Sequence, residues 1–377
     1  MNDKLLVIGN GFDLAIGAKT SYSSYFESKE YEKTKEKVFC WIELCKQQGE
    51  LPVCTNIADF DFTCWDLLFC LESKAYKDSN TKINWCDIEK VIYNSLMNTD
   101  SFSFSWDIVL ERLCNRFHYF YNNPANNGLQ RLQTPPISTK TIIEYLFQKP
   151  EWRDCCADRQ SFYGKLLEEL QKFEKSFGGY IYNITSNEEY KAKAWWLVEN
   201  LLDTREGVHI DSFNYSDFSS SRPWIRHING DSDSPIFGIN LSPEEESNRP
   251  ELRQFTKTSR RLHEDSEMLN RTTEWGTIPV DSAVVFGHSL NKMNYDYFFH
   301  LFTLLHFHTF DLDKMGSVQF VYKKYDPSKT KEISSRYADS VYELLSYYES
   351  CVSSFNNHIL INLLRFSGKL KISELYC

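Results

Sequence analysis

The residues best suited to chemistry lie in a few short stretches. The first runs Gly9-Asn10-Gly11-Phe12-Asp13, with Gly17 and Thr20-Ser21-Tyr22 close behind. The glycine spacing is GxGxxxxxG, not the GxGxxG of the dinucleotide fingerprint. Two glycines still permit a tight turn and close backbone approach, and a following helix would aim N–H groups at a phosphate. Asp13 is out of place in such a loop, because a carboxylate repels phosphate. It suits a helix N-cap, a bond to a ribose hydroxyl, or a hold on an attacking water. Two readings therefore stand: a ribose-phosphate cradle, or a buried strand, turn and helix.

Asn214 closes the apolar run Val208–Phe213. An amide there can donate to and accept from a ribose hydroxyl or a water, or can simply complete a turn. His227 precedes the turn at Asn229-Gly230 and has the chemistry of a general base near neutral pH, or of a strand histidine bonded to its neighbours. Gly287-His288-Ser289 follows Ala283–Phe286 and offers an imidazole, a hydroxyl and N–H groups. It is not a nucleophile elbow, since Asn291 stands at the last glycine position of GxSxG. Asp296 opens a predicted helix, where its charge would complement the helix dipole. Asp87 and Glu89, two residues apart, do not share a helix face. Lys257, Arg260 and Arg261 make a basic face that either holds phosphate or is solvated and paired with acids such as Glu264 and Glu267. Arg112 and His118 resemble the Arg-x(4–6)-His signature of small helical toxin ribonucleases, and equally fit an amphipathic helix face.

These residues need a scaffold. Leu5–Ile8 is a short, wholly apolar run that suits a strand buried on both faces of a parallel sheet. Val208–Phe213, Trp224–Ile228, Pro235–Ile239, Ala283–Phe286 and Ser317–Tyr322 are further predicted strands. Trp85–Met97, Phe104–Tyr121, Thr139–Phe147, Ser161–Phe177, Glu188–Leu202, Arg253–Leu269, Asn294–His308 and Ile333–Tyr348 are predicted helices. The resulting fold class is α/β, with a Rossmann-like, mainly parallel sheet flanked by helices. Residues 1–30 and 205–330 form the core, 31–204 a large helical insertion, and 331–377 a helical tail packed on the core. The strand order is not readable.

Composition narrows the class. The 377 residues are 42% hydrophobic and 15% aromatic, ample for a packed core. A net charge of -10 argues against broad duplex-DNA binding, which rests on Lys and Arg neutralising phosphates. Eleven cysteines without regular spacing read as free thiols of a cytoplasmic protein, and no Cys/His set has metal-site spacing, so no metal is expected. No stretch approaches the roughly 20 apolar residues of a membrane span, so no membrane association is expected.

Taken together, the islands resemble the AbiH family of bacterial phage-abortive-infection proteins. VIGNGFDLAIGAKTSY is similar to its opening signature. Trp85-Cys86-Asp87-Ile88-Glu89, Phe213-Asn214-Tyr215, His227-Ile228-Asn229-Gly230 with Phe237-Gly238, Phe255–Lys257, and Gly287-His288-Ser289-Leu290 with Asp296 follow in family order. A more distant resemblance is to sirtuin-like NAD-binding domains, with Asn214, Gly230 and Gly287–Leu290 at their motif positions. Ser216 and Asn229 depart from it, standing where an acid and the histidine base would be. The resemblance implies an anti-phage effector that binds, and hydrolyses, NAD or a related nucleotide. Gly9, Asn10, Gly11, Phe12, Asp13, Thr20, Ser21, Tyr22, Asn214, Tyr215, Gly230, Gly287, His288, Ser289 and Asp296 would line the ligand, with Asn214, His227 and Asp13 in catalysis. The alternatives are a nucleotide-sensing module without turnover, or a ribonuclease using Arg112 and His118. A phage or host trigger protein and self-association are the partners this implies.

Overall fold

The computed structural model describes residues 3–47, 60–79, 88–97, 104–122, 137–202, 208–219, 225–263, 280–323, 330–352 and 359–375. The chain divides into two compact units. One comprises residues 1–21, 178–235 and 264–377, and the other residues 22–177 and 236–263.

The first unit is built on six strands: β1 (Asp3–Ile8), β2 (Val208–Ser212), β3 (Ile225–His227), β4 (Val280–Phe286), β5 (Ser317–Tyr322) and β6 (Leu370–Glu374). All neighbouring pairs are parallel, in the order β3-β2-β1-β4-β5-β6. That is the doubly wound order in which the sheet grows outward both ways from β1 and β4.

The apolar run of β1 is buried on both sides, as a central parallel strand requires. Its two-residue period splits it cleanly. Leu5 and Val7 join a core with Phe298, Leu301, Leu344 and Leu364. Leu6 and Ile8 join another with Phe12, Ala194, Leu197 and Phe286. Strand β2 obeys the same alternation: Val208 and Ile210 belong to the second core, so Asp211 faces the other way. There Asp211 is fully buried, bonded to Arg226 of β3 at 2.8 and 2.5 Å, and to the Tyr297 hydroxyl at 2.5 Å. This cluster ties β2, β3 and helix Tyr295–Leu304 together beside the loops that follow the strands.

Three expectations are corrected here. Pro235–Ile239 is not a strand; it makes a single bridge, from Ile239 to Thr256. Its hydrogen-bonding groups are taken by side chains: Phe237 N–H donates to the Glu174 carboxylate at 2.6 Å, and its carbonyl accepts from Arg260 at 2.6 Å. The region 331–377 contains not only helices Thr330–Val352 and Ile359–Phe366 but also β6, which pairs with β5. The predicted helix Arg253–Leu269 is a 3-10 segment, Pro250–Phe255, followed by helix Lys257–His263; its last residues lie outside the described ones.

The second unit is helical, with segments including Lys29–Gln47, Cys64–Ser79, Trp106–Asn122, Ile137–Phe147 and the first part of Arg159–Thr185. Aromatic side chains fill it: Phe26, Tyr31, Phe69 and Phe173 pack together, as do Trp41, Phe60 and Tyr145. Among the described residues, no helix is long and apolar enough to cross a membrane.

Candidate functional site

In open α/β sheets, ligands bind beyond the carboxyl ends of the strands where the strand order reverses. Here that place lies at the ends of β1 and β4, and four of the sequence islands lie on the loops around it. The β1 loop begins at Gly9, the β4 loop at Gly287, Asn214 follows β2, and His227 ends β3.

The two glycine loops are sealed against each other. Gly9 N–H donates to the Phe286 carbonyl at 3.1 Å, and Gly11 N–H to the Gly287 carbonyl at 2.8 Å. A Cβ on Gly9 would sit 2.7 Å from His288 Cα, and one on Gly11 would sit 2.6 Å from Gly287 Cα. Gly287 itself has φ +70°, a left-handed conformation. The glycines are thus explained by contact between loops. Phe12 stacks on Phe218 and meets Phe286 edge-on, which anchors helix Gly11–Ala15 to the sheet.

Asp13 does not cap this helix; Asn10 holds the N-cap position, and its side chain accepts from the Thr20 hydroxyl at 2.7 Å. Asp13 is 1% exposed. Its carboxylate accepts from the Tyr190 hydroxyl at 2.7 Å and from the Ser216 hydroxyl at 2.8 Å. Burial raises its pKa above the ordinary carboxylate value, partly countered by the hydrogen bonds from Tyr190 and Ser216. Ser216, where the distant resemblance would place an acid, instead serves this buried acid.

Asn214 is 5% exposed and spans the gap between loops. Its side-chain NH2 donates to the Gly9 carbonyl at 3.1 Å, while Oδ1 has no hydrogen-bond partner. Its own carbonyl lies 3.2 Å from His227 Nδ1. A carbonyl only accepts, so Nδ1 carries the proton and Nε2 presents the lone pair. Nε2 stands 3.9 Å from Oδ1 of Asp217, whose side chain is 44% exposed. Both Asp217 oxygens also accept from Ser219, from its N–H at 2.8 Å and its hydroxyl at 2.9 Å. A histidine with one nitrogen fixed by a backbone carbonyl and the other free beside a carboxylate is an arrangement suited to proton transfer.

The remaining residues divide. His288 is buried; its Nδ1 accepts from Leu290 N–H at 2.9 Å, and its ring packs 4.4 Å from Phe213, so it shapes the β4 loop around left-handed Leu290. Asn229, at the histidine-base position of the distant resemblance, donates to the Phe213 carbonyl at 3.2 Å. Gly230 takes φ +79° in the turn after β3. Tyr215 is buried, Ser21 is half-buried, and Ser289 and Asp296 are exposed, the latter in the first turn of helix Tyr295–Leu304. Tyr22 belongs to the helical unit, where its ring meets Phe177 and Phe237.

Tyr190 is the residue that sequence reading missed. It sits on helix Glu188–Leu202, where a buried tyrosine is indistinguishable from any core aromatic. In the helical unit two cations of the basic face are taken by acids of other helices, while the expected partners Glu264 and Glu267 lie outside the described residues. Lys257 is buried and pairs with Glu89 at 2.7 Å, and Arg260 makes a two-pronged pair with buried Glu174. Trp85 and Asp87 lie outside the described residues. Arg112 and His118 share helix Trp106–Asn122, six residues apart, hence about 120° apart around its axis.

Residues 5–312 match a family model described as bacteriophage abortive infection AbiH. No curated protein and no solved structure matches the chain.

Proposed function

Because the chain belongs to the AbiH family of bacteriophage abortive infection proteins, we propose that its parallel-sheet unit acts in phage defence by binding and hydrolysing NAD or a related nucleotide. The observation that carries this reading is the convergence of the β1, β2, β3 and β4 loops at the reversal of strand order, with Asn214 tying β2 to the β1 loop and to His227, and the glycine backbones tying β1 to β4. Asn214 holds the ligand. His227 Nε2 takes a proton from a water, which attacks the ribose carbon bearing nicotinamide. The ribose–nitrogen bond breaks, nicotinamide leaves with the bonding pair, and ADP-ribose and a proton are the other products. The positive charge that grows on the ribose is stabilised by a nearby carboxylate. Asp217, partly exposed beside His227, fits that role by position. Asp13, with its carboxylate held by Tyr190 and Ser216, acts by positioning Asn214.

The test is incubation of the purified protein with NAD, NADP and ATP, with and without phage lysate, and chromatography of the products. Nicotinamide with ADP-ribose is the expected outcome; intact nucleotides under every condition defeat the hydrolytic reading. A second reading, nucleotide sensing without turnover, is favoured by Asn229, whose amide is committed to the Phe213 carbonyl where a base would stand. Calorimetric binding of NAD without turnover selects it. A ribonuclease centred on Arg112 and His118 requires that His118→Ala abolish toxicity.

A further inference from the structure

The β1 loop has little left to offer a phosphate. The N–H groups of Gly9, Gly11 and Phe12 go to the carbonyls of Phe286, Gly287 and Gly9. Helix Gly11–Ala15 has only five residues, too short to act as an anion site. Charge points the same way. Among the described residues of these loops, Lys19 and Lys292 are exposed, and Arg226 is committed to Asp211. Asp217, Asp231 and Asp296 stand on the same loops.

Asn214 gives the site a definite chemical preference. The atom facing the Gly9 carbonyl must be the NH2, because that carbonyl can only accept; the amide orientation is therefore fixed. The same NH2 supports the Asp13 carboxylate. What remains is Oδ1, a buried acceptor without a donor. A buried carbonyl left without a partner is unfavourable, so the site is completed by a group that donates. A phosphodiester at neutral pH brings only acceptors. A sugar hydroxyl brings a donor.

Resting on the reading of this cleft as a nucleotide site, we infer that it selects its ligand through a ribose hydroxyl seated on Asn214 Oδ1, and not through phosphate. The nucleoside portion then carries the affinity, and the phosphates of a larger ligand extend away from the glycine loop.

Titration calorimetry with NAD, nicotinamide riboside, adenosine, their 2′,3′-dideoxy analogues and sodium pyrophosphate tests this. Expected is that at least one riboside binds with an affinity of the same order as NAD. Its dideoxy analogue binds about ten- to a hundredfold more weakly, and pyrophosphate does not displace NAD. If NAD binds, both nucleosides fail and pyrophosphate competes, phosphate is the recognised group; the inference is overturned and the nucleotide reading survives. If neither NAD nor any nucleoside binds, both fall together. Asn214→Leu removes the acceptor and loses the preference for the hydroxylated sugar, with circular dichroism and the melting midpoint checking that the fold is kept. A folded Asn214→Leu that keeps the preference overturns the assignment to Asn214.

Discussion

Asp13 shows how one residue's environment decides its role. Sequence alone left it between a helix cap and a ligand contact, because the partners that settle the matter, Tyr190 and Ser216, lie 177 and 203 residues away. Burial raises its pKa from 3.8, so the folded chain holds this proton at pH values where the unfolded chain has released it. Below the unfolded value both states are protonated and the site contributes nothing to pH dependence. As pH rises above it, the unfolded state ionises first and stability falls until the folded group titrates as well. Thermal melts of wild type and Asp13→Asn should therefore diverge with pH, the wild type losing more of its relative stability as pH is raised above the ordinary carboxylate value. A constant difference over that rise would mean that the carboxyl titrates alike in both states. Gly287 makes a sharper steric case. Its φ of +70° and the closeness of Phe12 N leave no room for a Cβ. Gly287→Ala should destabilise by on the order of 3 kcal/mol in denaturant titrations, combining backbone strain with overpacking.

At the scale of elements, local pattern was legible wherever burial is periodic. Ser317–Tyr322 and Glu188–Leu202 stand where their apolar spacing puts them. The failures share a cause. Pro235–Ile239 has the composition of a strand, but a strand also needs a neighbour, and here Glu174 and Arg260 take the polar groups of Phe237. Strand β6 was hidden because Leu370–Glu374 is short, half polar and at the sheet edge, so it shows no continuous apolar run. The basic face of Lys257–His263 looked like a phosphate site because the acids that neutralise it, Glu89 and Glu174, belong to other helices. Those pairs predict a large effect in the helical unit. Arg260→Leu strands the Glu174 carboxylate, which is 2% exposed, and should cost about 3–5 kcal/mol. Adding Glu174→Leu should recover part of that loss, although Phe237 N–H then lacks its acceptor. An additive double mutant would show that the pair is not coupled.

For the whole molecule, the span shared with the AbiH family and the span needed for the fold are not the same. The match ends at Leu312, after β4 and helix Tyr295–Leu304 but before β5, helix Thr330–Val352, helix Ile359–Phe366 and β6. One face of the sheet depends on those later elements. Phe298, Leu301, Phe302 and Leu305 share a core with Val318, Phe320, Val341, Leu344, Leu345, Tyr348, Leu360 and Leu364. A chain ending at Leu312 would present that apolar face to water and turn β4, now central, into an open edge beside β1. Exposed apolar area and an unpaired edge strand both favour aggregation. The expected result is a truncated protein that aggregates or binds a hydrophobic dye and lacks a cooperative melt. The chain ending after Tyr322 should fare little better, because it restores β5 as an edge but leaves the face uncovered. Removal of β6 alone, by ending the chain at Gly368, should retain a cooperative transition at a lower midpoint, since both covering helices stay in place. If instead the chain ending at Leu312 melts cooperatively, the later elements are an accessory layer, and the fold needs only the strands within the family span.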